Sequence, residues 1–225
     1  MGVMLMLRFI GKKVLWAIIC VLAVTIIIFT LLYFSGNDPA AVELAKPVIY
    51  LYPENETDIV VRIDLDGQLG FTYPAYDEGW YVTAYPDGKL INNADGREYS
   101  YLFWDGVGSI VFDMSIGFIV AGSDTVTFLQ NKLEYIGLQP GEYNEFIVFW
   151  APMMELNAYN LITFQESAYT DVARLEIFPT PDSMLRVFMT YMPLDKPMTV
   201  PEQVLKPFER TGFSVVEWGG AVVTR

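Results

Sequence analysis

Residues 14–34, VLWAIICVLAVTIIIFTLLYF, form an uninterrupted apolar run of 21 residues without a charged side chain. As a helix rising about 1.5 Å per residue, such a run covers about 30 Å, the thickness of a bilayer's hydrocarbon core. Backbone polar groups in lipid must bond within their own segment, so the run predicts a membrane-spanning helix. Beyond residue 45 the pattern changes to short alternating stretches. Ile59, Val61, Ile63 and Leu65 share one face of a predicted strand, with Val60, Arg62, Asp64 and Asp66 on the other. Asp66-Gly67 reads as a turn, after which Leu69, Phe71 and Tyr73 resume the alternation, so a hairpin is expected. Lys46–Pro53 is an apolar strand bounded by prolines, expected at a sheet edge because proline cannot donate to a ladder. Pro86-Asp87-Gly88 is a turn between the strands Trp80–Tyr85 and Lys89–Ile91, and Asp95-Gly96 precedes a strand over Glu98–Trp104. Short strands at regular spacing predict an antiparallel, sandwich-like arrangement.

Near Gly122 the period lengthens. Val126, Leu129, Leu133 and Ile136 fall at helical spacing, with Ser123 or Asp124 to cap the start and Gly137 to end it. Pro140–Asn144 reads as one more helical turn and Glu145–Trp150 as extended. Strands follow at Tyr159–Phe164, Ala173–Phe178 and Leu185–Tyr191. A last helix is expected from Pro201, burying Val204, Leu205 and Phe208 and stopping at Gly212, before a closing strand Phe213–Trp218. The expected fold is therefore an N-terminal transmembrane helix plus a β-rich α+β outer domain whose first half is an antiparallel sandwich. Its parts are a tail (1–13), the transmembrane helix (14–34), a tether (35–45), a β-sandwich-like half (46–121) and an α+β half (122–225).

Charge orients this arrangement. Arg8, Lys12 and Lys13 precede the apolar run, and the next basic residue is Lys46. The positive-inside rule puts the N-terminus in the cytoplasm and the C-terminal domain outside, as a single-pass membrane protein. A cleaved signal peptide is the competing reading, with small residues at Asp38-Pro39-Ala40-Ala41, but its apolar region is usually about 7–15 residues long. Cys20 lies inside the run without a lipoprotein-like context and reads as a packing residue. All 27 acidic residues follow the run, against 11 of the basic ones. That balance disfavours nucleic acid as a partner and disfavours an anionic lipid surface for the body. The outer part has no cysteine and the chain has no histidine. Disulfides, thiolate or His-ligated metal sites, a Cys nucleophile and a Ser-His-Asp triad are thereby excluded from it, and no cofactor is implied.

The remaining chemistry is carried by carboxylates and aromatics. Asp64 and Asp66 flank a tight turn and could hold Ca²⁺, although further ligands at set spacing are missing and a solvated strand face accounts for both. Glu98, Asp105, Glu145, Glu155 and Glu217 lie in aromatic surroundings. Two of them about 5–10 Å apart could hydrolyse a glycosidic bond without histidine. Burial beside Trp104, Trp150 or Trp218 would raise one of them into the range of an acid catalyst. The plain alternative is that these acids end strands, cap helices or pair with Arg97, Arg186 and Lys206. Tyr50, Tyr52, Tyr73, Tyr76, Trp80, Tyr81, Tyr99, Tyr101, Phe103 and Trp104 serve either as core or as a sugar- or peptide-binding platform. Alternation puts Tyr99, Tyr101 and Phe103 on one face of a strand and Ser100, Leu102 and Trp104 on the other. Asn55-Glu56-Thr57 matches an N-glycosylation pattern, and Gly219-Gly220 reads as a turn or as a close approach to a ligand.

Lys46–Pro53 (KPVIYLYP), Glu98–Trp104 (EYSYLFW), Asn144–Pro152 (NEFIVFWAP), Tyr159–Phe164 (YNLITF), Arg186–Leu194 (RVFMTYMPL) and Gly212–Gly220 (GFSVVEWGG) resemble strings of a widespread family of uncharacterised, mostly bacterial proteins, many with an N-terminal export or anchor segment. The resemblance spans Lys46–Gly220 and implies no activity or catalytic residue. The expected function is that of a membrane-anchored extracytoplasmic domain binding a cell-envelope component or another protein, with an envelope glycan or a protein as the candidate partner. The alternatives are a carboxylate-based hydrolase of envelope glycans and a Ca²⁺-dependent surface module.

Overall fold

The computed structural model describes residues 41–224. The apolar run 14–34 lies outside them. Among the described residues no helix is long and apolar enough to cross a membrane.

Twelve strands are present among the described residues: β1 (Ala41–Tyr52), β2 (Thr57–Leu65), β3 (Gly67–Tyr73), β4 (Trp80–Ala84), β5 (Leu90–Asn92), β6 (Glu98–Tyr99), β7 (Leu102–Ser109), β8 (Phe118–Ala121), β9 (Tyr159–Gln165), β10 (Ala173–Phe178), β11 (Ser183–Leu194) and β12 (Ser214–Val222). The α-helices are α1 (Thr125–Ile136), α2 (Pro140–Met154) and the short α3 (Ser167–Thr170). A seven-stranded sheet runs β3-β7-β1-β12-β11-β9-β8, and a five-stranded sheet runs β10-β2-β4-β5-β6. Strand neighbours are antiparallel except β11 and β12, which are parallel.

Strand β1 shows the layering. Val48 and Tyr50 point into a core shared with Leu129, Leu133, Phe146 and Trp150 of the helices. Ile49 and Leu51 point the other way, into a core shared with Ile59, Val61 and Trp80 of the smaller sheet. The large sheet is thus flanked by helices on one face and by the small sheet on the other, and its inner strands β1, β12 and β11 are buried on both sides. Both sheets mix strands from before and after Gly122, since β10 joins β2 and β12 joins β1.

Several expectations are corrected. The Asp66-Gly67 turn does not close a hairpin: β2 pairs with β4 and β10, while β3 pairs with β7. The turn instead carries the chain from one sheet to the other, and a Cβ on Gly67 would stand 2.9 Å from the Gly108 Cα. Strand β1 is central rather than at an edge. Its proline, Pro47, sits where the register shifts, between Ala45 and Val48 against β12 and between Leu44 and Val48 against β7, so no ladder bond needs its missing N–H. Glu145–Trp150 is helical, the middle of α2. Pro140 opens that helix, and a reciprocal Gln139–Glu142 capping box fixes its start. Phe146, Trp150 and Met154 then fall on one buried face. A short apolar run is equally consistent with a buried strand, and only the cap distinguishes them.

Helix α1 forms as expected and ends at Gly137, whose φ of 118° is a left-handed C′ conformation. Neither Ser123 nor Asp124 supplies a side-chain cap, however, and a 3₁₀ turn, Gly122–Asp124, leads into the helix. The expected helix from Pro201 is absent; that segment is irregular, and Val204 is 84% exposed. Its role is to finish the sheet edge where β8 stops. The Gln203 amide accepts from Phe164 N at 2.9 Å and donates to Phe164 O at 2.7 Å, as a neighbouring strand would. The single strand expected over Glu98–Trp104 is two, β6 in the small sheet and β7 in the large one. Gly219-Gly220 is not a turn but part of β12, where a Cβ on Gly219 would lie 3.0 Å from Pro47 Cα and one on Gly220 2.7 Å from Trp150 Cζ2.

Candidate functional site: a tyrosine-lined cleft

The break between β6 and β7 builds a cleft. Tyr99 ends β6 facing the inter-sheet core, whereas Tyr101 and Phe103 turn to the helix side, so the expected common face for the three does not form. Phe103 pairs with Tyr73 of β3 and with Val48 of β1. Residues opposite one another in a ladder point to the same face. At the β3 end this face is open: Phe71 and Tyr73 are 62% and 53% exposed. A cavity of about 300 Å³ lies there, lined by Tyr73, Glu98, Tyr99, Ser100, Tyr101 and Glu145. Helix α2 contributes Glu145, β3 contributes Tyr73, and the crossing between the sheets supplies the rest.

Edge-to-face ring pairs stiffen the walls. Tyr73 and Tyr99 have centroids 5.1 Å apart at 69°, and Tyr50 and Tyr101 5.5 Å apart at 65°. Behind the cleft, the Tyr50 hydroxyl donates to Glu145 Oε2 at 3.2 Å. Burial, and then the Glu145 carboxylate, push the Tyr50 phenol far above its ordinary range and Tyr101 upward as well. Tyr99 is pushed up to about 12, chiefly by the bond its hydroxyl makes to Asp95 Oδ2 at 2.6 Å. These three phenols are neutral at physiological pH. Neither Glu98 nor Glu145 is ion-paired among the described residues, whose ion pairs join Lys132 to Glu202, Arg174 to Asp64, Arg186 to Glu217 and Arg210 to Glu142.

The other sequence candidates lie elsewhere. Asp105 accepts from Phe71 N at 2.6 Å, filling the irregularity in the β3–β7 ladder. Glu155 is exposed just past α2. Glu217 is fully buried between the sheets, bonded by Arg186 Nε at 2.6 Å and Trp104 Nε1 at 3.2 Å. Asp64 bonds Arg174 Nε at 2.8 Å in solvent, Asp66 is exposed, and the described residues contain no group of three or more potential metal ligands. Two of the five acids, Glu98 and Glu145, therefore share the cleft. Sequence reasoning does not single out Ser100 or Asp95 as part of the cleft or its margin. Only the strand break at residues 100–101 makes Ser100 part of a wall, and no local pattern announces it.

A protein of Butyrivibrio fibrisolvens described as "Uncharacterized protein in bglA 3'region" is 44% identical over 75 residues, which are 32% of this chain and 76% of that protein. The chain belongs to the same family. No family model matches it, and no solved structure matches it.

Proposed function

We propose that this protein is a membrane-tethered, extracytoplasmic binding domain that holds a cell-envelope glycan in the cleft between β3 and α2. The observation that carries this reading is the pairing of partly exposed tyrosine rings with carboxylates that have no cationic partner among the described residues. A pyranose presents C–H faces that stack on such rings, and hydroxyls that donate to carboxylates; pockets of this kind bind with a few placed polar groups. The apolar run 14–34 and the basic residues before it support the tether and its orientation.

The test uses the full chain in detergent micelles against an array of envelope oligosaccharides. Retention of a glycan that is lost in Tyr73→Ala and Tyr101→Ala supports the proposal. Equal retention by parent and variants would exclude this cleft. The tether and its orientation are tested by protease added to intact cells: digestion of the C-terminal domain is expected, and full protection would overturn the external placement.

A second reading is hydrolysis, favoured by Glu98 and Glu145 lining one cleft. It is weakened by the position of Glu98, which stands exposed in solvent rather than inside an apolar wall. Release of reducing ends from a retained glycan, abolished by Glu145→Gln with binding preserved, would select hydrolysis over binding alone.

A further inference from the structure

We infer that the cleft selects a saccharide carrying a free, positively charged amino group over its N-acetylated counterpart; this rests on the glycan reading above. The cavity holds two carboxylates and no lysine or arginine in its lining. Glu145 is half-buried, and its Oε2 takes the Tyr50 hydroxyl, while Oε1 has no partner among the described residues. That oxygen is held in place and left to accept. Glu98 stands at the rim without an ion-pair partner among the described residues. The rings of Tyr73 and Tyr101 complete the surround. Aromatic faces attract an ammonium, and the two carboxylates add to that field. An acetamide in the same place offers one N–H donor and a carbonyl that faces carboxylates without gain. A phosphate or uronate is repelled outright. The charge of the surroundings points the same way, since Asp95 bonds Tyr99 just outside the cleft and the whole chain has a formal net charge of −13.

Titration calorimetry on the full chain in micelles tests this with three probes at pH 6.5: a β-1,4-glucosamine tetrasaccharide, its fully N-acetylated form, and tri-lysine. Two partly exposed charge pairs, each contributing up to about fivefold, predict a preference for the free amine on the order of tenfold. The preference is expected to shrink in high salt and in Glu145→Gln and Glu98→Gln, while Tyr101→Ala weakens both saccharides. Equal binding of the two saccharides, or tighter binding of the acetylated form, overturns the amine selection and leaves the glycan reading intact. Binding of neither saccharide overturns the amine selection, and the glycan reading is then decided separately by retention on the oligosaccharide array. Binding of tri-lysine alone, lost in Glu145→Gln, shows a cleft for basic peptide and likewise overturns the inference.

Discussion

Arg186 and Glu217 lie opposite one another on the parallel strands β11 and β12, with Nε 2.6 Å from Oε2 and the carboxylate completely buried. Trp104 donates to the other oxygen, and Tyr169 of α3 lays its ring against the guanidinium, 4.7 Å from centroid to Cζ. A carboxylate that reads from sequence as a candidate acid is thus a structural counter-ion in the inter-sheet core. Removing one partner leaves the other charge buried and unpaired, which typically costs about 3–5 kcal/mol. Glu217→Gln is expected to lower stability on that scale in urea unfolding, and Glu217→Leu with Arg186→Met together to cost less than Glu217→Leu alone. A loss below about 1 kcal/mol for Glu217→Gln would contradict the burial of the pair.

Gly220 and Gly141 make a matched pair. A Cβ at Gly220 would collide with the Trp150 indole at 2.7 Å, and overpacking of this kind costs about 1–3 kcal/mol. Gly141 lies in the first turn of α2 with nothing within 4 Å of its would-be Cβ. Gly220→Ala is expected to lower the melting temperature and shift tryptophan emission. Gly141→Ala is expected to raise stability by about 0.5–1 kcal/mol.

Tyr99 and Asp95 set a pH dependence at the cleft's margin. Their bond raises the phenol to about 12 and lowers the carboxylate. A raised phenol stabilises the fold below its ordinary value of 10.0, and that contribution is lost as pH rises through about 12. A lowered carboxylate stabilises above the ordinary carboxylate range and ceases to do so as pH falls through its depressed value. In Asp95→Asn one phenol should titrate closer to 10.0 by ultraviolet difference absorbance. An unchanged titration curve would show that the bond is not made in solution.

Gln203 gives the sheet edge a side-chain substitute for a strand. Gln203→Ala removes both bonds to Phe164 and is expected to cost about 1–3 kcal/mol. It should also speed hydrogen exchange at the Phe164 amide more than at the β9 positions paired with β8. Uniform acceleration along β9 would mean that the segment holds the strand in some other way.

Much of the local structure was legible. The alternation over β2, the turns at Gly88 and Gly96 with φ of 88° and 66°, and helix α1 with its glycine stop all rest on forces acting within a few residues. The apolar stripe of α1 is shifted, with Thr125 buried and Val126 38% exposed, because the neighbouring elements set the helix's rotation. At the cleft, the sequence singles out Glu98, Glu145 and the tyrosines but not which acids meet, since Glu145–Trp150 reads as extended from its local pattern.

By itself the sequence determined the β-rich character, the helix over Thr125–Ile136, the short strands and a body without histidine or disulfide. Tertiary structure alone decided that β2 pairs with β10, bringing Asp64 and Arg174 together across 110 residues, that β1 is central, and that Glu217 is a buried counter-ion while Glu98 and Glu145 share an opening. The physical reason is that a two-residue period records which side chains share a face, whereas the choice of partner strand depends on burying both faces against segments far away in the chain.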